Sequence, residues 1–404
     1  MKYTSLLFFL LFLSACSEDP QKISILNESE FNVSDKLVMV SKDQLQTIAG
    51  HLPVIKSQAG ERVPTQLIDT DKDGDWDELV FQVSLESQGT SDFTLEWVVE
   101  NDYPEFTKQT QVHLGYSEAK DGDYVSVEQS KRDSTHVPED SPYTYQFEGP
   151  GWESNRVAFR SYFDTRNGKD IFGKTTEKMI MSEIGTGEDY HQLQKWGMDI
   201  LKVGESLGSG ALAILKKDSL IRLGKTESAE FKKVEEGPIF SSFKLMYKGW
   251  DVLGQEYELE EHISIQANKR WFQSEVLLRS PESLTDTLVV GIVNLKDANQ
   301  RSLNHANMQA LFTHGDQSEH KDALGMALLI PDQHYSGVSQ APVSGEGVTN
   351  SELLYLKPSG GFYNYYFYAG WEMEHQEFSK EEYFRDRLRD TMQELSVELK
   401  VSVK

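Results

Sequence analysis

Residues 78–85 read ELVFQVSL and residues 92–100 read DFTLEWVVE, two short runs in which apolar and polar side chains alternate. Alternation with a period of two is typical of a β-strand that buries one face. Runs of the same kind, separated by clusters of Gly, Asp, Asn, Ser and Pro, occur at residues 109–114, 257–265, 271–278, 288–295 and 325–330. The pattern predicts an all-β fold, one large antiparallel β-sandwich that forms a single domain over residues 36–404.

One α-helix is predicted, near the C-terminus. Ser379 is placed to cap this helix, and Glu382, three residues later, completes a capping box. The apolar face of the helix consists of Phe384, Leu388, Met392 and Leu395. We expect a last strand over residues 396–403, directly after the helix.

Residues 1–16, MKYTSLLFFLLFLSAC, have the features of a lipoprotein signal peptide. Their apolar run is long enough for such a signal and too short to span a bilayer. The small residues before Cys16, the single cysteine of the chain, have the form of a lipobox, so we expect lipid attachment there. Acidic residues follow it, as in the surface-export signal of Bacteroidetes lipoproteins, and residues 17–35 are predicted to be a polar tether. The expected location is the outer membrane, facing the medium or the periplasm, with the lipid as the only membrane contact.

The chain carries 65 acidic and 40 basic residues, a formal net charge of −25. Such a charge repels nucleic acid, and no stretch is basic enough to bind a phosphate backbone, so nucleic-acid binding is excluded. Aromatic residues make up 11% of the chain. That proportion is typical of extracellular β-proteins that stack rings on sugars, and also of large β-cores. Composition therefore leaves both interpretations open.

Residues 69–77 read DTDKDGDWD, in which carboxylates recur at alternate positions around a glycine turn. Such carboxylates can direct hard oxygen ligands at one centre, as calcium requires. The candidate ligands are Asp69, Asp71, Asp73 and Asp77. An EF-hand would need a glutamate at the twelfth position, where Val80 stands, so the loop fits a shorter DxDxDGxxD type. A structural calcium ion is predicted here, and a solvated acidic turn without metal is the alternative.

A local excess of positive charge occurs in residues 149–174, GPGWESNRVAFRSYFDTRNGKDIFGK. Its basic residues are Arg156, Arg160, Arg166, Lys169 and Lys174, set against the acidic Asp164 and Asp170. In a chain of such negative charge, this stretch indicates an anionic ligand. The alternative is a set of structural Arg–Asp pairs on an exposed sheet face.

Strand alternation divides this segment into two faces. Val157, Phe159, Ser161 and Phe163 are predicted to face the core, whereas the opposite face has Arg156, Ala158, Arg160, Tyr162 and Asp164. On that face Arg160 and Tyr162 should lie roughly 7 Å apart, two strand residues along. A guanidinium group there can hold a carboxylate or sulfate through two parallel hydrogen bonds.

Two further segments offer candidate residues. Residues 190–210, YHQLQKWGMDILKVGESLGSG, contain His191 close to Asp199 in sequence, and a histidine can act as base or acid near neutral pH. A structural histidine is the alternative, and the glycines of this segment lack the Lys-Ser/Thr of a phosphate loop. Residues 362–371, FYNYYFYAGW, could line a sugar cleft with Trp371, or pack in the core.

Together these four segments, including the loop DTDKDGDWDEL and the late FYNYYFYAGWE, resemble the bacterial domain-of-unknown-function family 4861. The resemblance extends from about Lys36 to the end of the chain. It implies a β-supersandwich of the galactose-mutarotase type and a place in the polysaccharide-utilisation systems of Bacteroidetes. It also implies an activity associated with the family. This is dehydration of the uronic acid at the non-reducing end of ulvan oligosaccharides, which gives a 4,5-unsaturated uronate.

This elimination removes the proton on C5, beside the carboxylate, so it needs a cation, a base and an acid. Arg156 and Arg160 are the candidates for holding the carboxylate, with assistance from Arg166 or Lys174. His191 and Tyr162 are the candidate base and acid, in an order that the sequence leaves open.

Other residues are expected to support that chemistry. Asp199 is the candidate for orienting His191, and Trp152 or Trp371 for stacking on the sugar. No catalytic cofactor is predicted. Three alternatives stay open: a polysaccharide lyase that expels a sugar instead of water, a glycan-binding lipoprotein without catalysis, and an epimerase of the mutarotase type.

Overall fold

The computed structural model describes residues 20–119, 123–134, 144–281, 286–296 and 298–404. The predicted signal peptide and the lipid-attachment residue Cys16 lie outside the described residues. Within the described ranges, no helix combines the length and the apolar character that crossing a bilayer requires.

Short antiparallel strands make up most of the described chain. In chain order they are β1 (Lys22–Asn27), β2 (Val33–Ser41), β3 (His51–Lys56), β4 (Thr65–Ile68), β5 (Glu78–Leu85), β6 (Thr90–Val99), β7 (Thr110–His113), β8 (Gly115–Tyr116), β9 (Val125–Ser126), β10 (Gln129–Asp133), β11 (Gly151–Ser154), β12 (Val157–Ser161), β13 (Lys169–Lys174), β14 (Gly197–Asp199), β15 (Ser209–Lys216), β16 (Ser219–Arg222), β17 (Ser228–Glu236), β18 (Phe240–Val252), β19 (Gln255–Gln266), β20 (Trp271–Arg279), β21 (Thr287–Val293), β22 (Arg301–His305), β23 (Met308–Gly315), β24 (Leu324–Pro331), β25 (Tyr335–Gln340), β26 (Ser351–Leu356), β27 (Phe362–Trp371) and β28 (Leu399–Val403). The α-helix of the described chain, α1, spans Glu381–Ser396.

The largest sheet has nine strands in the order β10-β17-β18-β19-β20-β27-β24-β23-β22. One face of this sheet packs against two five-stranded sheets, β14-β13-β12-β11-β7 and β16-β15-β21-β26-β25, and the three sheets share one apolar core. Phe272 of the large sheet contacts Trp152 and Phe159 of the first smaller sheet, with ring centroids 5.2 and 4.9 Å apart. Burial of large rings between sheets is the main stabilising term of such a sandwich.

The helix covers the opposite face of the nine-stranded sheet. Phe384, Leu388 and Met392 are fully buried there, as their spacing predicts. Gly325 lies directly under the helix, where an added Cβ atom would come within 2.4 Å of the Phe384 ring. The absence of a side chain at that position therefore allows the helix to pack closely.

Two smaller sheets, β28-β1-β6-β3 and β2-β5-β4, enclose a second core near the chain ends. Ile23 and Ile25 are fully buried in it, and β1 pairs with β28 so that Ile23 lies opposite Val403. The prediction of a polar tether over residues 17–35 is therefore wrong from Lys22 onward. The alternating isoleucines form a buried strand because β1 pairs on one side with β28 and on the other with β6.

The all-β, antiparallel fold with a helix near the C-terminus is confirmed. The strand predicted at residues 78–85 has the same bounds in the structure, and the other predicted strands differ only at their ends. The predicted capping box is wrong: Ser379 ends a 3₁₀ turn, Gln376–Ser379, and Lys380 precedes the helix without a side-chain cap. The last strand begins at Leu399, later than predicted, because the helix continues through Ser396.

Candidate functional site

The strand β12 carries the central residue of the candidate site, Arg160. Phe159 faces the core against Phe272, so strand alternation turns Arg160 to the opposite face of the sheet. There its guanidinium carbon lies 4.7 Å from the ring centre of Tyr162 and 5.6 Å from that of Tyr190. The alternation predicted for residues 156–164 is present within β12, residues 157–161, although both faces of this strand are buried.

Arg160 is paired with carboxylates of the protein itself. Its side chain is only 2% exposed, and Nη2 donates to Oδ2 of Asp170 at 2.7 Å and to Oδ2 of Asp199 at 2.8 Å. A third carboxylate, that of Glu148, lies 3.3 Å from Nη1. The prediction of Arg160 as a solvent-facing carboxylate clamp is therefore wrong, because its donors are already satisfied inside the fold.

Tyr162 is the second buried member of this network. Its hydroxyl donates to Oδ2 of Asp170 at 2.7 Å and accepts a hydrogen bond from Nη2 of Arg160 at 3.0 Å. The sequence predicted two side chains roughly 7 Å apart on one face, and the structure brings their polar ends into contact. Burial raises the pKa of the Tyr162 phenol well above its usual value, and the charge of Arg160 opposes that rise. Tyr162 therefore keeps its proton at neutral pH.

The turn that carries Glu148 has an unusual backbone. Phe147 and Glu148 have positive φ angles, 38° and 71°, and an added Cβ atom on Gly149 would lie 2.1 Å from the carbonyl oxygen of Ser161. Non-glycine residues in this conformation each cost about 1–3 kcal/mol. The turn is held by Gln146, whose Nε2 donates to the carbonyl oxygen of Ile184 at 2.6 Å. Strain of this kind is concentrated at functional sites.

Arg166 lies at the outer edge of the network. Its Nη2 donates to Glu148 and Asp164 at 2.7 and 2.6 Å, and its guanidinium carbon lies 4.0 Å from the ring centre of Tyr162. The side chain is 36% exposed. Among the described residues, none accepts a hydrogen bond from its Nη1 atom. Arg166 is therefore the cation of this cluster that a ligand can reach.

His191 forms the exposed side of the site. Its side chain is 62% exposed, its Nδ1 atom lies 3.5 Å from Oδ2 of Asp199, and its ring is 4.4 Å from that of Tyr190. The structure thus brings together His191, Asp199, Tyr162 and Arg160, which the sequence had placed in two separate segments. Beside His191 opens a cavity of about 390 Å³ that is also lined by Tyr124, Phe147, Glu188 and Asp189.

The charge of the site differs from the expectation. Arg160 and Arg166 stand against four carboxylates: Glu148, Asp164, Asp170 and Asp199. Burial, reinforced by the nearby Asp170, raises the pKa of the Asp199 carboxyl well above its usual value, although Arg160 opposes the rise. The expected basic surface is therefore a buried network with more acids than cations, open to solvent at Arg166 and His191.

Three of the predicted substrate-binding side chains cannot contact a ligand. Lys174 is buried in an ion pair with Glu153. Trp152 is 0% exposed among core phenylalanines. Trp371 is buried over Gly173, and its Nε1 donates to Asp322. These predictions are wrong, because Lys174 and Trp152 belong to the first five-stranded sheet and Trp371 to the nine-stranded sheet, and the packing around these sheets buries all three side chains.

The other two basic residues also lie away from the network. Arg156 is partly exposed and pairs with the exposed Glu177 at 2.8 Å, so its predicted role with Arg160 is not supported by contact between them. Lys169 is buried in the core, where Nζ donates to Glu261 and Tyr365 at 2.6 and 3.1 Å.

Sequence reasoning missed Glu148, Asp170 and Tyr190 as members of the site. Asp170 was counted only as a charge that opposes the basic residues, yet it accepts hydrogen bonds from both Arg160 and Tyr162. The opposite charges of Arg160 and Asp170 were a signal in the sequence. Two strands joined by a short turn pair in antiparallel fashion, and the pairing of β12 with β13 sets Asp170 directly opposite Arg160. No sequence pattern marks Glu148, since its position depends on the strained turn.

The acidic loop between β4 and β5 lies elsewhere. Asp69, Asp71 and Asp77 each offer a carboxylate oxygen within 4.8 Å of the others, whereas Asp73 is not part of this group. The Oδ1 atom of Asp73 instead accepts a hydrogen bond from the backbone of Asp75 at 2.8 Å. Hydrogen bonds from Thr70 lower the pKa of the Asp77 carboxyl, which favours the ionised form that a metal ion needs. The prediction of a structural calcium ion stays a prediction.

The chain is similar to known proteins over most of its length. A family model described as "Domain of unknown function (DUF4861)" matches residues 25–401. "Uncharacterized protein P7" of Formosa agariphila is 26% identical over 361 residues, which cover 82% of each protein. A protein in glycosyl hydrolase family 38 from Enterococcus faecalis superposes with a TM-score of 0.51 at 10% identity, over 95% of this chain and 47% of that one. An α-mannosidase from Enterococcus faecalis gives a TM-score of 0.45 at 9% identity, over 95% and 46%.

The chain thus spans about half the length of these two solved structures. At 10% identity, the likeness to the glycosyl hydrolase family 38 protein shows a shared fold.

Proposed function

The chain belongs to the DUF4861 family, and we propose that it is a carbohydrate-active lyase. Its substrate is an oligosaccharide of the ulvan type with a uronic acid at the non-reducing end. The reaction removes water across C4 and C5 and leaves a 4,5-unsaturated uronate. The observation that carries the proposal is the exposed His191 in front of the buried Arg160–Tyr162 pair, with Asp199 in contact with both His191 and Arg160.

His191 is the proposed base. Its Nδ1 side faces Asp199, so Nε2 is left for the substrate, and the 62% exposure of the ring gives a sugar direct access. A carboxylate that fixes the orientation of an imidazole is a common arrangement for proton transfer. In this role Nε2 takes the proton from C5, which is acidified by the adjacent carboxylate of the sugar.

Arg166 is the proposed partner of that sugar carboxylate. In this role Arg166 takes the place of the predicted Arg156 and Arg160, because it is the cation of the network whose side chain is substantially exposed. Its Nη1 atom, which donates to none of the described residues, is available for one carboxylate oxygen. A cation at this point stabilises the negative charge that develops as the C5 proton leaves.

Tyr162 is the proposed acid. Its raised pKa keeps the phenol protonated, and the proton passes to the C4 hydroxyl, which departs as water. The electrons of the C5–H bond form the C4=C5 double bond as the C4–O bond breaks. Arg160, 3.0 Å from the phenol oxygen, stabilises the phenolate that remains. The proton on His191 later returns to solvent, and Tyr162 is reprotonated.

The test is incubation of the protein with uronate-containing oligosaccharides while absorbance is followed in the unsaturated-uronate band. The proposed reaction raises this absorbance and gives one product that has lost one water and kept its chain length. Two shorter products would identify a polysaccharide lyase instead. Binding without any rise in absorbance, tested on ulvan, alginate, pectin and glucuronan fragments, would identify a glycan-binding protein.

We also propose that the protein is exported as a lipoprotein of the outer membrane and that Cys16 carries the lipid. The support is the form of residues 1–16 in the sequence. Labelling of growing cells with a radioactive fatty acid tests it, because Cys16→Ser should abolish incorporation.

A further inference from the structure

A second cavity lies on the other side of the turn that carries Arg166. It has a volume of about 640 Å³, within the range typical of small-molecule sites, and the proposed chemistry uses none of its walls. Its lining includes Ser134, Arg222, Gly224, Lys225, Thr226 and Glu227.

This cavity is physically connected to the candidate active site. Asn167 follows Arg166 directly in the chain, and its Nδ2 atom donates to the carbonyl oxygen of Gly224 in the cavity wall at 2.7 Å. One short turn therefore separates the cation proposed for the sugar carboxylate from the second cavity.

One unsatisfied hydroxyl lies in this wall, and an unsatisfied guanidinium lies behind it. Thr226 is 2% exposed, and its Oγ1 atom has no hydrogen-bond partner in the described parts of the chain. Behind the wall, Nη2 of Arg132 donates to Oδ1 of Asn167, whereas Nε and Nη1 of this buried guanidinium have no partner among those same residues. Buried donors of this kind are rare and call for an explanation, of which a bound ligand is one.

The charges around the cavity indicate what kind of ligand fits. Arg222 and Lys225 supply two cations, and Glu227 and Asp251 supply two carboxylates, so the lining has no formal net charge. A mixture of donors and acceptors suits a ring with several hydroxyl groups, because each hydroxyl both donates and accepts. A purely anionic ligand would be opposed by the two carboxylates.

We propose that this cavity binds the sugar residue next to the reacting uronic acid, so that the enzyme holds two consecutive sugars of its substrate. The inference rests on the proposed function for the identity of the first sugar. The turn 164–167 then lies between the two sugars, with Arg166 on the uronate and Asn167 hydrogen-bonded to Gly224 in the wall of the second site. Thr226 and Lys225 contribute to binding of the second sugar through their hydroxyl and ammonium groups.

The test compares two ligands by calorimetry: the methyl glycoside of the uronic acid, and a disaccharide with the same uronic acid at its non-reducing end. The wild-type protein should bind the disaccharide more tightly. Thr226→Val and Lys225→Ala should each reduce this preference about three- to tenfold, the effect of one lost hydrogen bond. Lys357→Ala, at an exposed lysine far along the chain, should keep the wild-type preference.

Thr226→Val also separates a binding role from a structural one. Because the buried hydroxyl has no partner among the described residues, valine should leave the thermal midpoint of the free protein unchanged or raise it. Equal affinity of the wild type for both ligands, or an unchanged preference in both variants, would overturn the proposal. If the variants lose the preference while the wild type eliminates no water, the second sugar site stands and the proposed reaction fails.

Discussion

Asp170 and Asp199 each place their Oδ2 atom on the same nitrogen of Arg160, Nη2, at 2.7 and 2.8 Å. The two carboxylates come from neighbouring strands, β13 and β14, and one guanidinium lies between them. Burial, together with the nearby charge of Asp170, raises the cost of ionising Asp199. Asp199 has the raised pKa, and it is the carboxyl that faces the candidate base His191.

This arrangement predicts how stability changes with pH. The folded state holds the Asp199 proton more tightly than the unfolded state, whose pKa is close to the usual 3.8. The stabilisation is therefore fully present below that pH and is lost as pH rises through the folded pKa. Asparagine has no such proton. The free energy of unfolding of the wild type minus that of Asp199→Asn should thus fall as pH increases from about 4.

Urea unfolding over a pH series measures this difference. Asp43→Asn, at an exposed aspartate, is the matched control and should show a nearly flat difference. A difference that grows with pH would mean that the fold prefers Asp199 ionised.

His191 is expected to matter for turnover and hardly at all for folding. If it takes the C5 proton, His191→Ala should lower the rate about 10²–10⁴-fold. Its side chain is 62% exposed, so the free energy of unfolding should change by less than about 0.5 kcal/mol. Absorbance assays measure the rate and urea unfolding measures the stability, with His51→Ala as the control at a partly exposed histidine outside the site. Near-wild-type turnover would remove His191 from the mechanism.

Most of the fold could be predicted from local sequence patterns, and each error of that prediction can be traced to particular residues. Residues 78–85 are rich in β-branched and apolar residues that partly alternate with polar ones, and they form β5 with the predicted bounds. Strand β1 was missed because its apolar run, Ile23, Ile25 and Leu26, is short, and the burial of the isoleucines depends on pairing with the distant β28 and β6. The helix start was misplaced because Ser379 takes part in a 3₁₀ turn, an arrangement that a capping pattern does not reveal.

The site was predictable only in part, because side-chain exposure depends on the packing of whole sheets. Alternation placed Arg160 and Tyr162 on one face, and these residues do meet. The same alternation gave no sign that this face is covered by Tyr190 and by the turn at Glu148. Arg160, the arginine predicted to bind the substrate carboxylate, is therefore already paired with carboxylates from three other segments.

Loss of Arg160 is expected to damage the fold itself. Arg160→Met removes the cation between three carboxylates and leaves buried charge without compensation. The expected loss in free energy of unfolding is about 3–5 kcal/mol. Arg156→Ala is the matched control, because that arginine is on the same segment and its ion pair in the described part of the chain is with the exposed Glu177, so about 0–1 kcal/mol is expected. Similar losses in the two variants, measured by urea unfolding, would contradict the role of the network.

Calcium is expected to stabilise the protein through the acidic loop. Asp69, Asp71 and Asp77 offer oxygens close enough to share one ion, so added calcium should raise the thermal midpoint and a chelator should reverse the change. At a calcium concentration a hundredfold above the dissociation constant, the gain in stability is about 2.7 kcal/mol. Asp71→Asn should reduce the shift in midpoint. Asp75→Asn should not, because Asp75 lies in the same loop but pairs with Lys42 and is outside the group. A midpoint that is insensitive to calcium in the wild type would show that the loop is an acidic turn without metal.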